Sequence, residues 1–405
     1  MSGSGWRPAA RMGNLPDQFF AALVDKTEQR IRAGHDVINL GQGNPIDETP
    51  SHIVERLRDT AGEVRYHRYV SFSGITALKE AAARWYERRY GVRLDPAREI
   101  AVTIGVKVAL QELSLITLNP GDAALVPDPG YPDYWSGIAL AGGRRLSLPL
   151  RAEHAFQPVW DTVPDAALVF LNYPHNPTGQ VATSETFLGA VAYARRTGAL
   201  MVHDLAYGDI LFDGRAGASF LTVPGAQDVG VECVSLSKSY NMAGWRVGIV
   251  AGNGDVIAAL EQIQDHLNCS QFGAVQEAAV AALESPRAVT DAQARRYQER
   301  RDVLIEGLRQ AGWAVAPPAG GIFCWAPVPG GGDAVQFADF LLDAANVVVA
   351  PGVGFGTCGT GYVRLSLTAQ AERLSEAARR IGDVLPAWLA GDARRERGVG
   401  ADQPN

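Results

Sequence analysis

The feature that most constrains the fold is an alternation of apolar runs and amphipathic stretches between residues 100 and 251. Segments with helical spacing, such as Lys107–Leu118 and Glu185–Arg196, separate most of the runs. Strands that alternate with helices form a mostly parallel sheet covered on both faces, so we predict an α/β fold with such a sheet. The strand-like runs are Ile100–Ile104, Ala123–Val126, Ala167–Leu171, Ala199–Val202, Cys233–Leu236 and Val247–Ala251.

The rest of the chain predicts a second, smaller α/β unit. A mostly helical stretch from Asp255 to Gln310 precedes another series of strands and helices that ends near Ile381. A chain of 405 residues has room for two domains. We expect an N-terminal arm with part of the small domain over 1–50, a large domain over 51–295, a small C-terminal domain over 296–390 and a polar tail over 391–405.

Composition argues against several classes of protein. The 37 basic and 44 acidic residues leave a net charge of −7 without a basic block, so no nucleic-acid partner is expected. No apolar run has the length of a membrane span, and the N-terminus lacks the apolar core of a signal peptide, so no membrane partner is expected. The four cysteines are far apart and form no CxxC pair, which argues for a reduced, cytoplasmic protein without a disulfide framework. The histidines are scattered, so no metal site is predicted.

Lys238 is the main candidate for a catalytic residue. It follows an apolar run, Ser235 and Ser237 precede it, and Arg246 lies eight residues farther on. Hydroxyl groups and a guanidinium bind phosphate, and a lysine that loses its proton forms Schiff bases. A surface lysine in a loop is ordinarily commoner, but only four of the 37 basic residues are lysines, which makes a retained lysine more informative.

Two further candidates follow predicted strands. Asp204 comes after the run Ala199–Val202, where the carboxyl end of a strand meets the crevice in which α/β sheets bind ligands. A helix N-cap explains this aspartate equally well. Val106 and Lys107 open a helix whose free amides suit a phosphate, although many strand-to-helix turns look the same.

Two more polar residues have competing explanations. Asn176 lies between two prolines that hold the backbone and present its amide rigidly, but a simple turn is the commoner reason for an Asn-Pro pair. Arg364 interrupts the apolar strand Tyr362–Leu367. A strand-borne arginine either extends its charge to water or binds a carboxylate, and spacing alone favours neither.

Together these segments resemble the class I/II aminotransferases of pyridoxal phosphate fold type I. The resemblance extends from about Gln18 to Pro386, because Pro-His-Asn-Pro-Thr-Gly at 174–179, Asp-Leu-Ala-Tyr at 204–207, Ser-Leu-Ser-Lys at 235–238 and Arg-Leu-Ser at 364–366 occur in the family's order and spacing. It implies a pyridoxal 5'-phosphate enzyme whose large domain binds the cofactor.

The resemblance also implies roles for the candidates. Lys238 would form the Schiff base and move the Cα proton, Asp204 would hold the pyridinium proton, and Tyr207 would bond the ring's 3-oxygen. Together with these three residues, the implied cofactor-binding set contains Val106, Lys107, Tyr131, Asn176, Ser235, Ser237, Arg246 and Tyr69.

Substrates and partners are implied in the same way. Arg364 would bind the substrate α-carboxylate with help from Asn176 and the backbone of Gly43, and Tyr69 would reach the neighbouring subunit's cofactor in a homodimer with shared active sites. Residues 35–45 and 129–137 are similar to the methionine-salvage branch, which aminates 4-methylthio-2-oxobutanoate. The expected substrates are an L-amino acid with an apolar or thioether side chain and a 2-oxo acid.

Three positions depart from the family pattern and support an alternative. Val106, Gly273 and Ile322 replace residues that lie near the substrate or phosphate in the family. A specialised enzyme could retain the cofactor contacts and perform elimination, replacement or carbon–carbon bond formation on a methionine-like or S-adenosylmethionine-like substrate. A non-enzymatic regulator is a third hypothesis, disfavoured because no DNA-binding module accompanies the complete set of catalytic residues.

Overall fold

A computed structural model describes residues 6–16 and 21–398 of the protein. Most of its strands follow the predicted runs closely, with shifts of a few residues at the ends. The strands of the described residues are β1 (Ile38–Asn39), β2 (Ile100–Thr103), β3 (Ala123–Asp128), β4 (Arg144–Pro149), β5 (Leu168–Asn172), β6 (Leu200–Asp204), β7 (Gly230–Ser235), β8 (Gly248–Gly252), β9 (Phe323–Pro327), β10 (Val347–Val348), β11 (Ala350–Pro351) and β12 (Tyr362–Ser366).

Helices surround these strands. The helix expected from Gln18 is described from Ala21 onward, since residues 17–20 lie outside the described part. The helices of the described residues are α1 (Ala21–Arg32), α2 (Ser51–Ala61), α3 (Thr76–Tyr90), α4 (Val106–Thr117), α5 (Asp133–Leu140), α6 (Ser184–Thr197), α7 (Ala226–Val229), α8 (Leu236–Ser239), α9 (Gly254–Leu267), α10 (Gly273–Leu283), α11 (Arg287–Gln310), α12 (Ala334–Ala345) and α13 (Ala371–Gly398).

A seven-stranded sheet in the order β2-β8-β7-β6-β5-β3-β4 organises the larger part of the molecule. Strands β3 to β7 are parallel, and β8 runs antiparallel to both of its neighbours. Val169 and Leu171 pack into the core on one face, while Leu168 and Phe170 pack into the core on the other. Strands that are apolar on both faces require cover on both, and the predicted α/β class with a mostly parallel sheet is confirmed.

A smaller unit contains the antiparallel sheet β11-β12-β9, packed with α12 and α13. Strand β1 pairs in parallel with β10, so the N-terminal segment joins this unit. The domain boundaries at residues 50, 295 and 390 stay a prediction. The polar tail expected from Gly391 begins inside α13, and residues 399–405 lie outside the described part.

The large sheet places three polar residues side by side. The adjacent parallel strands β5, β6 and β7 end at Asn172, Asp204 and Ser235. Ligands of open α/β sheets bind in the crevice outside the carboxyl ends of such strands. Within residues 6–16 and 21–398, no helix combines the length and the apolar character needed to cross a membrane.

Candidate active site

A cavity of about 540 Å³ lies at the carboxyl ends of these strands and is also lined by residues of the smaller unit. It brings together side chains that are far apart in the sequence, as the motifs predicted. Tyr69 does not line it and is 83% exposed. The sequence-predicted residues that line the cavity are Gly43, Val106, Lys107, Tyr131, Asn176, Asp204, Tyr207, Ser235, Ser237, Lys238, Arg246 and Arg364.

One side of the cavity is built to hold an anion. Helix α4 begins at Val106, and the first amides of a helix have no partner within it. The preceding Gly105 has φ 75°, and a Cβ there would lie 2.5 Å from Nη2 of Arg246. The buried Ser235 and Ser237 also line the cavity. Amides, hydroxyls and a guanidinium therefore meet where a phosphate can bind.

Lys238 lies within the short helix α8, and its Nζ donates a hydrogen bond to the carbonyl oxygen of Gly43 over 2.7 Å. Burial lowers its pKa to about 8, and the positive charges of Arg364 and Arg246 act in the same direction. A sizeable fraction of the amine is therefore neutral near pH 8. A neutral amine can act as a nucleophile and as a base.

Asp204 is a buried carboxylate at the end of β6. Its Oδ2 accepts a hydrogen bond from the Tyr134 hydroxyl at 2.9 Å, and its Oδ1 accepts one from the amide of Ala206 at 3.1 Å. Burial raises its pKa to about 6, and these two hydrogen bonds oppose the increase. The chain after Asp204 forms a turn and not a helix, so the helix N-cap explanation is wrong.

Arg364 extends into the cavity from β12 and is 7% exposed. Its charged group therefore does not extend into bulk water, which was one of the two explanations from the sequence. Its Nη1 donates to Oδ1 of Asn176 at 2.9 Å and its Nη2 to the carbonyl of Gly41 at 2.8 Å. The guanidinium carbon lies 3.9 Å from the ring centroid of Phe323 and 4.5 Å from that of Phe355. Burial lowers its pKa to about 10, so it is still charged at neutral pH.

The sequence did not single out several residues that shape this site. Tyr134 bonds Asp204 from the first turn of α5, and no local pattern in the sequence marked it. Asn172 donates to the carbonyl of Asp204 at 2.7 Å and accepts from the amide of Asn176 at 2.8 Å. No local signal marked Phe355.

The positions that depart from the family pattern do not all lie on the cavity wall. Val106 lines the cavity, whereas Gly273 and the buried Ile322 do not. A Cβ at Gly273 would overlap the ring of Tyr66, so the aromatic ring occupies the space that a side chain there would need. The alternative based on an altered substrate wall loses its support at Gly273 and Ile322.

Comparisons with known proteins agree with the geometry. The model of the family "Aminotransferase class I and II" matches residues 35–381. The chain is 51% identical over 375 residues to an L-glutamine–4-(methylsulfanyl)-2-oxobutanoate aminotransferase of Bacillus subtilis (strain 168), covering 91% of this chain and 94% of that protein. It is 43% identical over 382 residues to an LL-diaminopimelate aminotransferase of Moorella thermoacetica, covering 93% and 98%. The substrate-bound structure of BacF from Bacillus subtilis superposes with a TM-score of 0.90 at 40% identity, covering 94% and 98%.

The residues present fit the family's cofactor. The side-chain-free position at Gly105 leaves room for the guanidinium of Arg246 beside the helix amides, which suits a phosphate. Lys238 offers an amine with a lowered pKa, and Asp204 offers a buried carboxylate that can face a protonated ring nitrogen. The resemblance and the predicted cofactor are confirmed: the chain belongs to the class I and II aminotransferases and is a pyridoxal phosphate-dependent enzyme that transfers amino groups.

Proposed function

We propose that this aminotransferase acts in the cytoplasm as a homodimer and exchanges the amino group between an L-amino acid with an apolar or thioether side chain and a 2-oxo acid. The expected acceptor is 4-(methylsulfanyl)-2-oxobutanoate, the substrate in the name of the 51% identical relative. The observation that carries this proposal is the number of positively charged side chains that line the cavity. After the others are assigned, one guanidinium remains to bind one substrate carboxylate.

Four cationic side chains are among the described residues that line the cavity. Lys107 pairs with Asp133 at 2.9 Å, Lys238 is the catalytic candidate, and Arg246 belongs to the anion site. Arg364 is therefore the cation left for a substrate carboxylate. Diaminopimelate carries a second carboxylate, for which the described walls provide no further unassigned cation. The apolar side chains on the walls include Leu23, Val24, Leu110, Phe323, Val348 and Phe355.

When bound, pyridoxal phosphate supplies an electron-withdrawing ring that stabilises negative charge at the substrate Cα. Ser235, Ser237 and Arg246 would hold the phosphate, and the ionised carboxylate of Asp204 would hold a proton at the ring nitrogen. The neutral amine of Lys238 would remove the proton from the substrate Cα and deliver it to the cofactor carbon that takes up the amino group.

Two further groups orient the reactants. Burial raises the pKa of Tyr207, so its hydroxyl keeps its proton and can donate a hydrogen bond to the ring's 3-oxygen. Asn176 accepts a hydrogen bond from Arg364 through its side-chain Oδ1, which leaves the two side-chain N–H groups available as donors. Arg364 and Asn176 therefore connect the carboxylate-binding side of the cavity to the ring-binding side.

The homodimer is supported by an exposed aromatic surface. Tyr69 contacts Phe72 edge-on, and Phe272 stacks on His67. Exposed apolar groups that lie together mark interaction surfaces. Because Tyr69 would complete the partner's site, we expect Tyr69→Ala to lose most of the activity, and mixing it with the Lys238→Ala chain should restore up to about a quarter of the wild-type activity. Random pairing makes half of the dimers mixed, and each mixed dimer has one intact site. Sedimentation that shows a fully active monomer would contradict the dimer.

A substrate panel tests the chemistry. The protein is incubated with 4-(methylsulfanyl)-2-oxobutanoate and L-glutamine, L-glutamate or L-phenylalanine, and L-methionine formation is measured. The same assay is run with LL-diaminopimelate as donor and the same acceptor. We expect methionine formation from the best of the other donors to be at least tenfold faster than methionine formation from diaminopimelate. Ammonia or methanethiol release without amino transfer would instead support the elimination chemistry, which the aminotransferase relatives do not favour.

A further inference from the structure

The carboxylate of Asp128 connects the large sheet to the smaller unit. Asp128 ends β3 and is 6% exposed. Its Oδ2 accepts hydrogen bonds from the hydroxyls of Ser147 at 2.9 Å and Thr357 at 2.7 Å, and its Oδ1 accepts one from the amide of Cys358 at 2.8 Å. Ser147 lies on the neighbouring strand β4, whereas Thr357 and Cys358 belong to the segment that follows Phe355.

A second contact joins the same two segments. The amide of Gly130 donates to the carbonyl of Phe355 at 2.8 Å. Between the two points of attachment, Gly356 has φ 132°, and a Cβ there would overlap the Asp128 carboxylate. The absence of a side chain at Gly356 therefore permits the close approach on which the hydrogen bonds depend.

Phe355 is the residue of this segment that touches the proposed substrate site. Its buried ring lines the cavity 4.5 Å from the guanidinium carbon of Arg364. A planar guanidinium binds a carboxylate through two parallel hydrogen bonds only when its plane is correctly oriented. Whatever holds Phe355 in place also restricts the positions that the guanidinium can adopt.

We propose that Asp128 is a positioning residue for substrate binding, which it serves by fastening the Phe355 segment to the end of β3 so that the Phe355 ring holds Arg364 in its carboxylate-binding orientation. The inference rests on the proposed role of Arg364. Asp128 does not touch the substrate, and its effect passes through Thr357, Cys358 and Phe355. The same strand end leads directly into Tyr131, so the substrate-facing Phe355 segment is fastened next to the start of a cofactor-facing one.

Two exposed hydroxyls provide a matched pair of variants. Thr357→Val and Ser147→Ala each remove one hydroxyl donor from the same oxygen of Asp128, but only Thr357 belongs to the Phe355 segment. The holoenzyme is titrated with 4-methylthiobutanoate, an unreactive carboxylate, and KM and kcat are measured with L-methionine. We expect Thr357→Val to raise both the dissociation constant and KM about three- to tenfold with kcat within twofold. Ser147→Ala should stay within twofold of the wild type in all three.

Asp128→Asn extends the test. An amide has one acceptor oxygen in place of two. We therefore expect Asp128→Asn to raise the dissociation constant of 4-methylthiobutanoate and the KM for L-methionine at least as much as Thr357→Val, with the cofactor absorbance unchanged. Equal constants for Thr357→Val and Ser147→Ala, or a fall in kcat without a change in KM, would overturn the inference. A wild-type holoenzyme that does not bind the carboxylate at all would overturn the proposed role of Arg364 first, which separates the two failures.

Discussion

The hydroxyl of Tyr134 donates a hydrogen bond to Oδ2 of Asp204 over 2.9 Å, while its ring stacks on Phe170 with 4.7 Å between centroids. The stacking on the core of the large sheet fixes the direction of the hydroxyl. A donor held in this way stabilises the ionised carboxylate against the effect of burial. Asp204, at the end of β6, is therefore helped to stay ionised by a residue of helix α5.

Tyr134→Phe should shift the acidic limb of the pH profile. The variant removes the donor, so the pKa of Asp204 rises further above its value of about 6, and a higher pH is needed to ionise it. We expect kcat/KM to fall about seven- to eightyfold at pH 6 and to approach the wild-type value near pH 9, because a hydrogen bond to a charged group contributes about 1.5–3 kcal/mol, or about one to two pKa units. A pH profile of kcat/KM measures this, and an unmoved acidic limb would refute it.

Lys238 should capture the cofactor with an unusual pH dependence. Only the neutral amine reacts with an aldehyde, and the pKa of Lys238 is lowered to about 8. In the apoenzyme the rate of covalent capture of pyridoxal phosphate should therefore rise with pH through a midpoint near 8. Stopped-flow absorbance measures the rate, and a midpoint near the ordinary lysine value of about 10.4 would contradict the expectation.

The site of attachment provides the control for that measurement. After borohydride reduction, peptide mapping should find the pyridoxyl group on Lys238 and not on Lys26, Lys79 or Lys107. Lys238→Ala should have no measurable transaminase activity, because no other lysine amine lies in its position. A label on Lys107, which also lines the cavity, would show that the lysine has been wrongly assigned.

Arg364→Lys should weaken amino-acid substrates without affecting the cofactor. Lysine keeps the charge but cannot form two parallel hydrogen bonds with a carboxylate. We expect a loss of about 2–4 kcal/mol of transition-state stabilisation, which is roughly a 30- to 700-fold fall in kcat/KM. The comparison is made with the matching amine that lacks the carboxylate. Equal losses for both compounds would mean that Arg364 has only a structural role.

Gly105→Ala should reduce cofactor affinity. The new Cβ would lie 2.5 Å from Nη2 of Arg246 and would displace the guanidinium from the anion site. We expect the dissociation constant of pyridoxal phosphate to rise about tenfold or more, in line with the loss of a charge-assisted hydrogen bond. Equilibrium titration of the apoenzyme with the cofactor gives this constant.

Gly91→Ala is a control for a positive φ without a neighbouring side chain. Gly91 has φ 69° and ψ 14°, in the left-handed region, and a Cβ there would meet no atom within 4 Å. Gly105 has φ 75° and ψ 157°, a conformation that is almost restricted to glycine, so Gly105→Ala carries the larger backbone strain of about 1–3 kcal/mol. Only Gly105→Ala should change cofactor affinity, and a similar loss in Gly91→Ala would attribute the effect to backbone strain in general.

Local motifs explain why much of the site could be predicted from the sequence. Asp204, Lys238 and Arg364 each carry a short signature at the end of a strand or inside one, and their strands bring them to one cavity. Tyr134 has no such signature, because its role depends on how α5 packs against the end of β6. Gly273 was misleading for the same reason: its neighbour Tyr66 lies more than 200 residues away in the chain.

The end of the chain shows a different limit of the sequence pattern. Residues 391–398 are rich in charge, which predicted a solvated tail, yet α13 continues through them to Gly398. Three of the eight residues are arginine, one is alanine and one is glutamate, and all three types have high helix propensity. Charge alone therefore does not indicate where a helix ends when the charged residues are themselves good helix formers.

The surroundings of Arg364 set the stability of the folded protein against its activity. Its Nε has no hydrogen-bond partner among the described residues, two phenylalanine rings flank the guanidinium, and no carboxylate of the described chain forms an ion pair with it. Folding removes water from this cation without supplying a full counter-charge, so the native state is less stable than its packing alone would allow. An apolar residue would relieve that penalty but would no longer bind a carboxylate. Selection for heat resistance and selection for turnover would therefore favour opposite choices at position 364.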